Sequence, residues 1–510
     1  MKVDAYITVR DINPRGLKTL HKELLAGKAL LHHVIEKLKK VSSINDIAIV
    51  CETIDPFLEN CRDLYDIRLH NSTLPDISRR DRFRRCRRWS ANGWRGGLKY
   101  ASVFDEDGWP AAFAIVNEAH PCDLIYQVSA EWPCLDIALS EKIIHHACQV
   151  MSSAKVVFHQ ASPGLLGAVY SPTTILQMAQ NQLSLGDGLA VNNTGKENAD
   201  EAIGPGNFEV SPLLSRNPWR FTADTTRQLK WINHLFENLP DNHSAENWIA
   251  QAKKQPFAEG PSREIEWEWS GENEGEHLTQ ELFSQLLEEL TCYDDILITI
   301  DGRGPWITHP DWPKFCHQLI KKGCHGLHLR LNSKDLNSDR VTQLINSKAT
   351  VISIVIDENF SDDSSNQHVK DLAEKRDSMN GPLMVVEMAR TPELIPHWEE
   401  FWDRWFSSCD HLLWRYPSDY LGHIKSTSDL NLVRRFRAPC RKLFHELILR
   451  WNGEISLCRE DWTSQHALGH YPKLSLRDAT KQLQKKWIDQ VENVLNEPCN
   501  HCDSWDRLTP

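Results

Sequence analysis

Six short apolar runs in the second half of the chain constrain its fold more than any other sequence feature. They occupy residues 263–269, 295–301, 326–331, 350–357, 383–389 and 411–415, and stretches with helical periodicity separate them. Strands that alternate with helices pair in parallel and connect through right-handed crossovers. This pattern therefore predicts an α/β fold with a (β/α)6 partial TIM barrel, in which ligands bind at the carboxyl ends of the strands.

Length and composition exclude several classes of protein. The chain has 510 residues, of which 41% are hydrophobic and 25% are charged, as in ordinary globular proteins. No apolar run approaches the roughly 18 residues of a transmembrane helix, and the start resembles no signal peptide. The sequence therefore predicts a cytoplasmic protein without membrane insertion, whose 14 cysteines stay reduced. The net charge of −12 argues against nucleic acid as a general partner.

Changes in composition predict four segments. Residues 1–240 form an N-terminal α/β domain, and residues 241–262 form a linker rich in polar and turn-forming residues. The barrel then covers residues 263–425, and residues 426–510 form a small cysteine-rich domain.

Four cysteines near the end of the chain have the spacing of a metal site. Cys440 and Cys458 flank Gly453, where a hairpin turn would bring them together, and Cys499 and Cys502 form a C-x2-C pair. Four thiolates suffice for a tetrahedral Zn²⁺ or for one [4Fe–4S] cluster. We expect one such centre, and the residues alone leave iron–sulfur and zinc open.

The cysteine arrangement, with Cys458-Arg-Glu-Asp461 and the later Leu468-Gly469, resembles the SPASM or "twitch" extension of radical SAM enzymes. Three further stretches resemble elements of their barrel, namely Asp301–Asp311, Leu329–Ser333 and Ser353–Asp357. The resemblance covers roughly residues 260–510. It implies a partial barrel followed by a domain that binds an auxiliary [4Fe–4S] cluster.

This chain departs from radical SAM enzymes where SAM would bind. The loop after the first barrel strand, residues 270–277, lacks the C-x3-C-x2-C motif that holds the SAM cluster. The family's Gly-Gly-Glu-Pro motif reads Gly302-Arg303-Gly304-Pro305, so its carboxylate is missing. We therefore expect no functional SAM site, and Arg303 to point into the former SAM cavity.

The N-terminal domain resembles a different family, the cytidylyltransferases of the nucleotide-diphospho-sugar transferase (GT-A) fold. Three places carry the resemblance: Arg10 with Gly27-Lys28, Ala130-Glu131-Trp132-Pro133, and the segment Arg220–Leu229. In that family two carboxylates hold Mg²⁺, and the resemblance implies Glu131 and Asp224 for this role. Residues 11–23 lack the family's Gly-Ser-x-Arg phosphate loop, and Glu131 stands where aspartate is expected.

An arginine-rich segment, residues 79–99, is the candidate replacement for the missing phosphate loop. Guanidinium groups bind phosphate bidentately, so Arg88 and Arg95, together with Arg10 and Lys28, are candidate nucleotide-binding residues. The alternative for this segment is a solvated helix face paired with carboxylates.

The combination of these parts resembles the spiro-SPASM family. It implies an iron–sulfur protein derived from radical SAM enzymes that recognises a peptide, protein or glycan-linked partner without cleaving SAM. The alternative is a Mg²⁺-dependent cytidylyltransferase-like enzyme that acts on a sugar nucleotide, with the barrel as an accessory. No catalytic residue is assigned from the sequence.

Overall fold

The computed structural model describes residues 1–13, 16–72, 109–181, 204–215, 217, 219–239, 243–356, 363–379, 381–415, 417–423, 437, 439–440, 442–502 and 504–506. The chain divides into two compact units, Met1–Ala258 and Glu259–Pro510. Among the described residues, no helix is both long enough and apolar enough to cross a membrane.

The first unit is built on a seven-stranded mixed sheet. Its strands are β1 (Val3–Val9), β4 (Asp46–Cys51), β5 (Arg68–Asn71), β6 (Leu124–Ser129), β7 (Val156–His159), β8 (Ala168–Tyr170) and β9 (Asn207–Phe208), while β2 (Leu24–Leu25) and β3 (Lys28–Ala29) form a separate hairpin. The sheet order is β5-β4-β1-β6-β8-β7-β9. β1 pairs in parallel with β4 on one side and with β6 on the other. β4 and β5 follow β1 on one side of the sheet, whereas β6 and the later strands lie on the other side. The strand order therefore reverses between β1 and β6.

Helices cover both faces of this sheet. They are α1 (Leu30–Leu38), α2 (Pro56–Tyr65), α3 (Pro110–Ala119), α4 (Ile137–Val150), α5 (Pro172–Gln180), α6 (Pro212–Ser215), α7 (Thr226–Glu237) and α8 (Ala245–Lys254). Apolar residues of α1, α2 and α4 form a core on one face, and those of α3 and α5 form a core on the other. The central strands are consequently buried on both sides, which is typical of parallel sheets.

The predicted linker, residues 241–262, differs from the observed structure. It contains α8, which packs into the first unit through Ala245, Trp248, Ile249 and Ala252. These residues recur at the spacing of one helical face, and Ser244 begins the helix with a capping box. The boundary between the units therefore lies after this helix, at Ala258.

The second unit has a nine-stranded sheet in which the six predicted strands are confirmed. They are β10 (Glu264–Trp267), β11 (Leu297–Ile300), β12 (Gly326–Asn332), β13 (Val351–Val355), β14 (Leu383–Ala389) and β15 (His411–Arg415), and neighbouring strands pair in parallel in chain order. A seventh parallel strand, β16 (Glu446–Leu449), pairs with β10. It continues into β17 (Glu454–Ser456) and β18 (Gly469–His470), which are antiparallel.

Helices connect these strands and follow the last one. They are α9 (Gln280–Leu290), α10 (Trp312–Lys321), α11 (Ser338–Asn346), α12 (Asp363–Ser378), α13 (Trp398–Trp405), α14 (Lys442–His445) and α15 (Leu476–Val491). Gly453 adopts a φ of 87° in the turn between β16 and β17, which confirms the predicted hairpin.

Candidate functional site

A cluster of polar residues lies at the carboxyl edge of the first sheet, where β1 and β6 end. β1 and β6 are neighbouring parallel strands from which the sheet extends in opposite directions. In open α/β sheets, ligands commonly bind at the carboxyl ends of two strands in this position. Asn13 lies in the loop that follows β1, and Glu131 is the second residue after β6. Both side chains are buried.

Asn13 joins the two carboxylate residues that the sequence predicts to share a metal ion. Its amide nitrogen donates to Glu131 Oε1 at 3.3 Å and to the backbone oxygen of Asp224 at 2.9 Å. The backbone of Ala223 also donates to the Glu131 carbonyl at 2.8 Å. The closing segment that carries Asp224 is therefore held against the strand end that carries Glu131.

Both carboxylates have protein partners in this arrangement. Glu131 Oε1 accepts the backbone N–H of Leu20 at 2.9 Å, and Asp224 forms an ion pair with Arg220. A Mg²⁺ ion on these two residues would share Asp224 with the guanidinium of Arg220, which also donates to Thr222 at 2.7 Å. The donor set provides hard oxygen ligands of the type that Mg²⁺ prefers.

Of the predicted cationic residues of the first unit, the two that the structure describes, Arg10 and Lys28, pair with other carboxylates. Arg10 is buried, pairs with Glu52 at 3.0 Å and lies 4.8 Å from the centre of the Trp109 ring. Lys28 is exposed and pairs with Glu36 at 2.7 Å. Arg88 and Arg95 lie outside the described residues.

The four predicted metal ligands belong to the second unit, and the side chain of Gln490 connects two of their segments. Gln490 on α15 accepts the backbone N–H of Cys440 at 2.8 Å, and its side chain also hydrogen-bonds the thiol of Cys499. Ser504 N–H lies 3.4 Å from the sulfur of Cys502, a donor position that suits a thiolate.

A buried ion pair connects the segments of the other two ligands. Lys442, two residues after Cys440, contacts Glu460, two residues after Cys458, at 2.8 Å. Their side chains are only 9% and 5% exposed, so little water screens this pair. The second oxygen of Glu460 accepts the hydroxyl of Ser418.

The thiols influence one another electrostatically. Burial raises the pKa of all four, for Cys502 to about 11, and the charge of Cys440 contributes to the raised pKa of Cys458, Cys499 and Cys502. Four protonated thiols are therefore favoured in the absence of a cation. Among the described residues, no group of three or more His, Cys, Asp or Glu side chains has a geometry that holds a metal ion as it stands.

Charged residues at the carboxyl ends of β10 and β11 form ion pairs. Arg303 donates to Glu268 through its backbone N–H at 2.7 Å and through its guanidinium at 3.1 Å. Next to this pair, Arg459 contacts Glu266 at 3.2 Å and also pairs with Asp301. The carboxyl ends of β10 and β11 are thus occupied by paired charges.

The glycines on either side of Arg303 allow two loops to pack closely. A side chain at Gly304 would lie 1.7 Å from the backbone oxygen of Gly271, and one at Gly302 would lie 2.6 Å from the side chain of Glu268. The loop after β11 therefore rests directly on loop 270–277.

Sequence reasoning missed Asn13, Lys442, Glu460 and Gln490. The spacing of Lys442 and Glu460 offered a signal, because each follows a cysteine by two residues. Asn13 and Gln490 offered none, since ordinary turn and helix patterns contain the same residue types.

Comparison with known proteins gives limited similarities. No family model matches the chain. An uncharacterized protein of Treponema pallidum (strain Nichols) is 28% identical over 81 residues, which are 16% of this chain and 22% of that protein. The match therefore spans less than a quarter of that relative's length.

Three solved structures each resemble about half of the chain. A cytidylyltransferase from Leptospira borgpetersenii serovar Hardjo-bovis (strain JB197) is 14% identical, with 50% of this chain and 95% of that chain covered and a TM-score of 0.37. CMP:2-keto-3-deoxy-manno-octonic acid synthetase complexed with CTP is 11% identical, with 47% and 99% covered and a TM-score of 0.30. BtrN in an open conformation is 10% identical, with 48% and 92% covered and a TM-score of 0.31.

Proposed function

We propose that the first unit binds a nucleotide together with Mg²⁺, as a cytidylyltransferase-like domain acting on a sugar nucleotide. The observation that carries this proposal is the convergence of Asn13, Glu131 and Asp224 at the point where β1 and β6 diverge. Ligands commonly bind at such a position in open α/β sheets. Glu131 supplies a carboxylate at this point, and the carboxylate of Asp224 on the adjoining segment is the proposed second ligand. A bound Mg²⁺ would neutralise charge on phosphate oxygens.

Arg220 has a specific place in this proposal. It already pairs with Asp224, so an incoming phosphate group offers the guanidinium a second anionic partner. Asp224 precedes Thr225, the N-cap residue of α7, whose hydroxyl oxygen accepts the backbone N–H of Gln228. A helix start adds a modest preference for negative charge at this position.

Calorimetry tests the proposal directly. We expect CTP, UTP or ATP to bind the full chain in the presence of Mg²⁺ and to bind more weakly after Mg²⁺ is removed. Asp224→Asn should weaken binding about tenfold, because it removes one charged ligand. Asp66→Asn is the matched control, since Asp66 is exposed at the end of α2. Absence of heat with all three nucleotides contradicts the proposal.

A specific observation favours a second function, a four-thiolate metal centre in the second unit. Gln490 connects the segments of Cys440 and Cys499, and the Lys442–Glu460 pair connects those of Cys440 and Cys458. We propose that these thiols close around one [4Fe–4S] cluster, with zinc as the alternative, in a SPASM-like domain of the spiro-SPASM kind. The unit would then recognise a peptide, protein or glycan-linked partner without SAM chemistry.

Anaerobic purification with iron, sulfide and zinc analysis tests this second function. We expect one centre per chain, and Cys458→Ser should lose it, whereas Cys292→Ser should not, because Cys292 is exposed on another segment. A chain that takes up neither metal after reconstitution contradicts the proposal.

A further inference from the structure

One face of the second sheet carries charged side chains where a parallel sheet normally carries apolar ones. Asp301 directly follows β11, and Arg330, Glu387 and Arg415 lie in the carboxyl halves of β12, β14 and β15. Contacts between their side chains show that these four residues share one face. Buried ion pairs give a fold little net stability, whereas ligands commonly bind at the carboxyl ends of parallel strands. This face is therefore a candidate binding surface.

The four charges form a row that ends on a cation. The guanidinium of Arg330 donates to both oxygens of Glu387 at 2.8 to 3.1 Å and to Asp301 at 2.7 Å. Arg415 Nε lies 3.7 Å from Glu387 Oε2, which is beyond hydrogen-bond distance. Two guanidinium groups thus share the carboxylate of Glu387, and Arg330 is the one that binds it closely.

The surroundings of Arg415 disfavour its positive charge. Burial and the charge of Arg330 lower the pKa of Arg415 to about 9. Arg415 therefore still carries its charge at neutral pH, but in a place that compensates this charge poorly. An added anionic group next to Arg415 would provide the missing compensation. The side chain of Arg415 is 20% exposed, so its guanidinium is not fully enclosed by the protein.

Tyr420 adds a neutral hydrogen-bond donor to this place. Its phenol interacts electrostatically with both Arg330 and Arg415. Burial raises the pKa of Tyr420, although both arginines oppose this shift, so the phenol keeps its proton at neutral pH. The centre of its ring lies 4.4 Å from that of Trp462, which helps to hold the ring in place. Tyr420 thus supplies an O–H donor and no negative charge.

We propose that Arg415 and Tyr420 bind the carboxylate group of a small ligand at this edge of the second sheet, beside Arg330. The planar guanidinium matches the two oxygens of a carboxylate, and the phenol donates a further hydrogen bond. One negative charge suits the single cation at the end of the row. A phosphate group carries up to two negative charges and would bring the second one close to Glu387. The inference requires neither nucleotide binding by the first unit nor a metal centre.

Chemical modification of arginine tests the site in the unaltered full-length chain. Phenylglyoxal reacts with guanidinium groups, and mass spectrometry of the digested protein gives the rate of modification at each arginine. Acetate at about ten times its dissociation constant should slow the modification of Arg415 about tenfold, because protection follows occupancy. Arg477 is the internal control, since it is 45% exposed in an ion pair with Glu259, and its rate should not change. Chloride at the same ionic strength should protect neither residue.

Substitutions test the two residues separately. Tyr420→Phe keeps all charges and should weaken acetate binding about tenfold, because it removes one hydrogen bond to a charged group. Arg415→Gln should weaken binding more than tenfold, and Arg415→Lys should recover only part of it, because lysine lacks the planar fork. Calorimetry with acetate measures these changes, and Arg477→Gln should bind like the original chain. Circular dichroism confirms that each variant is folded.

The outcomes distinguish the site from the identity of its ligand. If neither acetate nor inorganic phosphate protects Arg415, the binding site is overturned. If phosphate protects Arg415 at lower concentration than acetate, the assignment to a carboxylate is overturned. Unchanged acetate binding in folded Tyr420→Phe and Arg415→Gln overturns the assigned residues and leaves the row of charges a purely structural feature. Failure of nucleotide or metal binding elsewhere in the chain changes none of these readouts.

Discussion

His328 shows how one buried side chain ties stability to pH. It lies on β12, where its Nε2 is 2.7 Å from the hydroxyl of Ser353. Burial lowers the pKa of His328 to about 4, although Glu387 opposes this shift. In the unfolded chain the pKa of histidine is about 6.5, so the unfolded state binds more protons than the folded state between these values.

The sign of the effect follows from this difference in proton binding. The contribution of His328 to stability is complete above about pH 6.5 and is lost as the pH falls towards 4, by roughly 2–3 kcal/mol. His328→Gln should lose less stability than the original chain between about pH 7 and pH 4.5 in urea unfolding. His317→Gln, on an exposed site of α10, should behave like the original chain. Equal losses in all three proteins would contradict this account.

At the residue scale, sequence motifs identified candidate site residues. They did not identify the residues that those side chains contact in the fold. The pattern around Ala130-Glu131 and Arg220–Asp224 led to two residues that the fold brings to the same Asn13 amide. It did not reveal that Asp224 pairs with Arg220, because that contact depends on how the closing segment turns. Similarly, Arg303 was expected in a cavity, and its partner Glu268 comes from another strand end.

At the scale of elements, Trp248 makes α8 an integral part of the first unit. Its side chain is completely buried, and its ring lies 4.7 Å from Phe236 and 5.1 Å from His243. Trp248→Ala should cost about 3–5 kcal/mol in the free energy of unfolding, because it leaves a large cavity in a packed core. Trp402→Ala on α13, where the ring is 40% exposed, should cost far less. Comparable costs in denaturant titrations would show that α8 is not part of this core.

The six parallel strands of the second unit were predictable, and α8 was not, for a physical reason. Strands buried on both faces are nearly continuous apolar runs, as in Val351–Val355, and turn residues bound them clearly. The helix α8 is short, and the polar segments on both sides of it dominate the local composition. Only the recurrence of Trp248 with Ile249 and Ala252 marked its buried face.

At the scale of the whole molecule, the chain consists of two units of similar length. Nucleotide binding is proposed for the first unit, and a metal centre is proposed for the second. The boundary at Ala258 falls inside the interval that composition had marked as a linker. The partial barrel and the SPASM-like domain stay predictions, whereas the order and direction of the six strands β10–β15 are observed. The carboxyl ends of β10 and β11 carry ion pairs, among them Arg303–Glu268 and Arg459–Asp301.

This arrangement predicts that the chain does not cleave SAM. Loop 270–277 supplies no thiolate for a SAM cluster, and the loop after β11 packs against it with Gly304 in contact with the backbone of Gly271. Arg303 stands where the resemblance to radical SAM enzymes would imply a carboxylate, and it forms an ion pair with Glu268. Incubation of reconstituted, reduced full-length protein with SAM should yield no 5′-deoxyadenosine above a protein-free control. A radical SAM enzyme assayed in parallel confirms that the conditions support cleavage. An amount of 5′-deoxyadenosine that rises with the concentration of this protein would contradict the prediction.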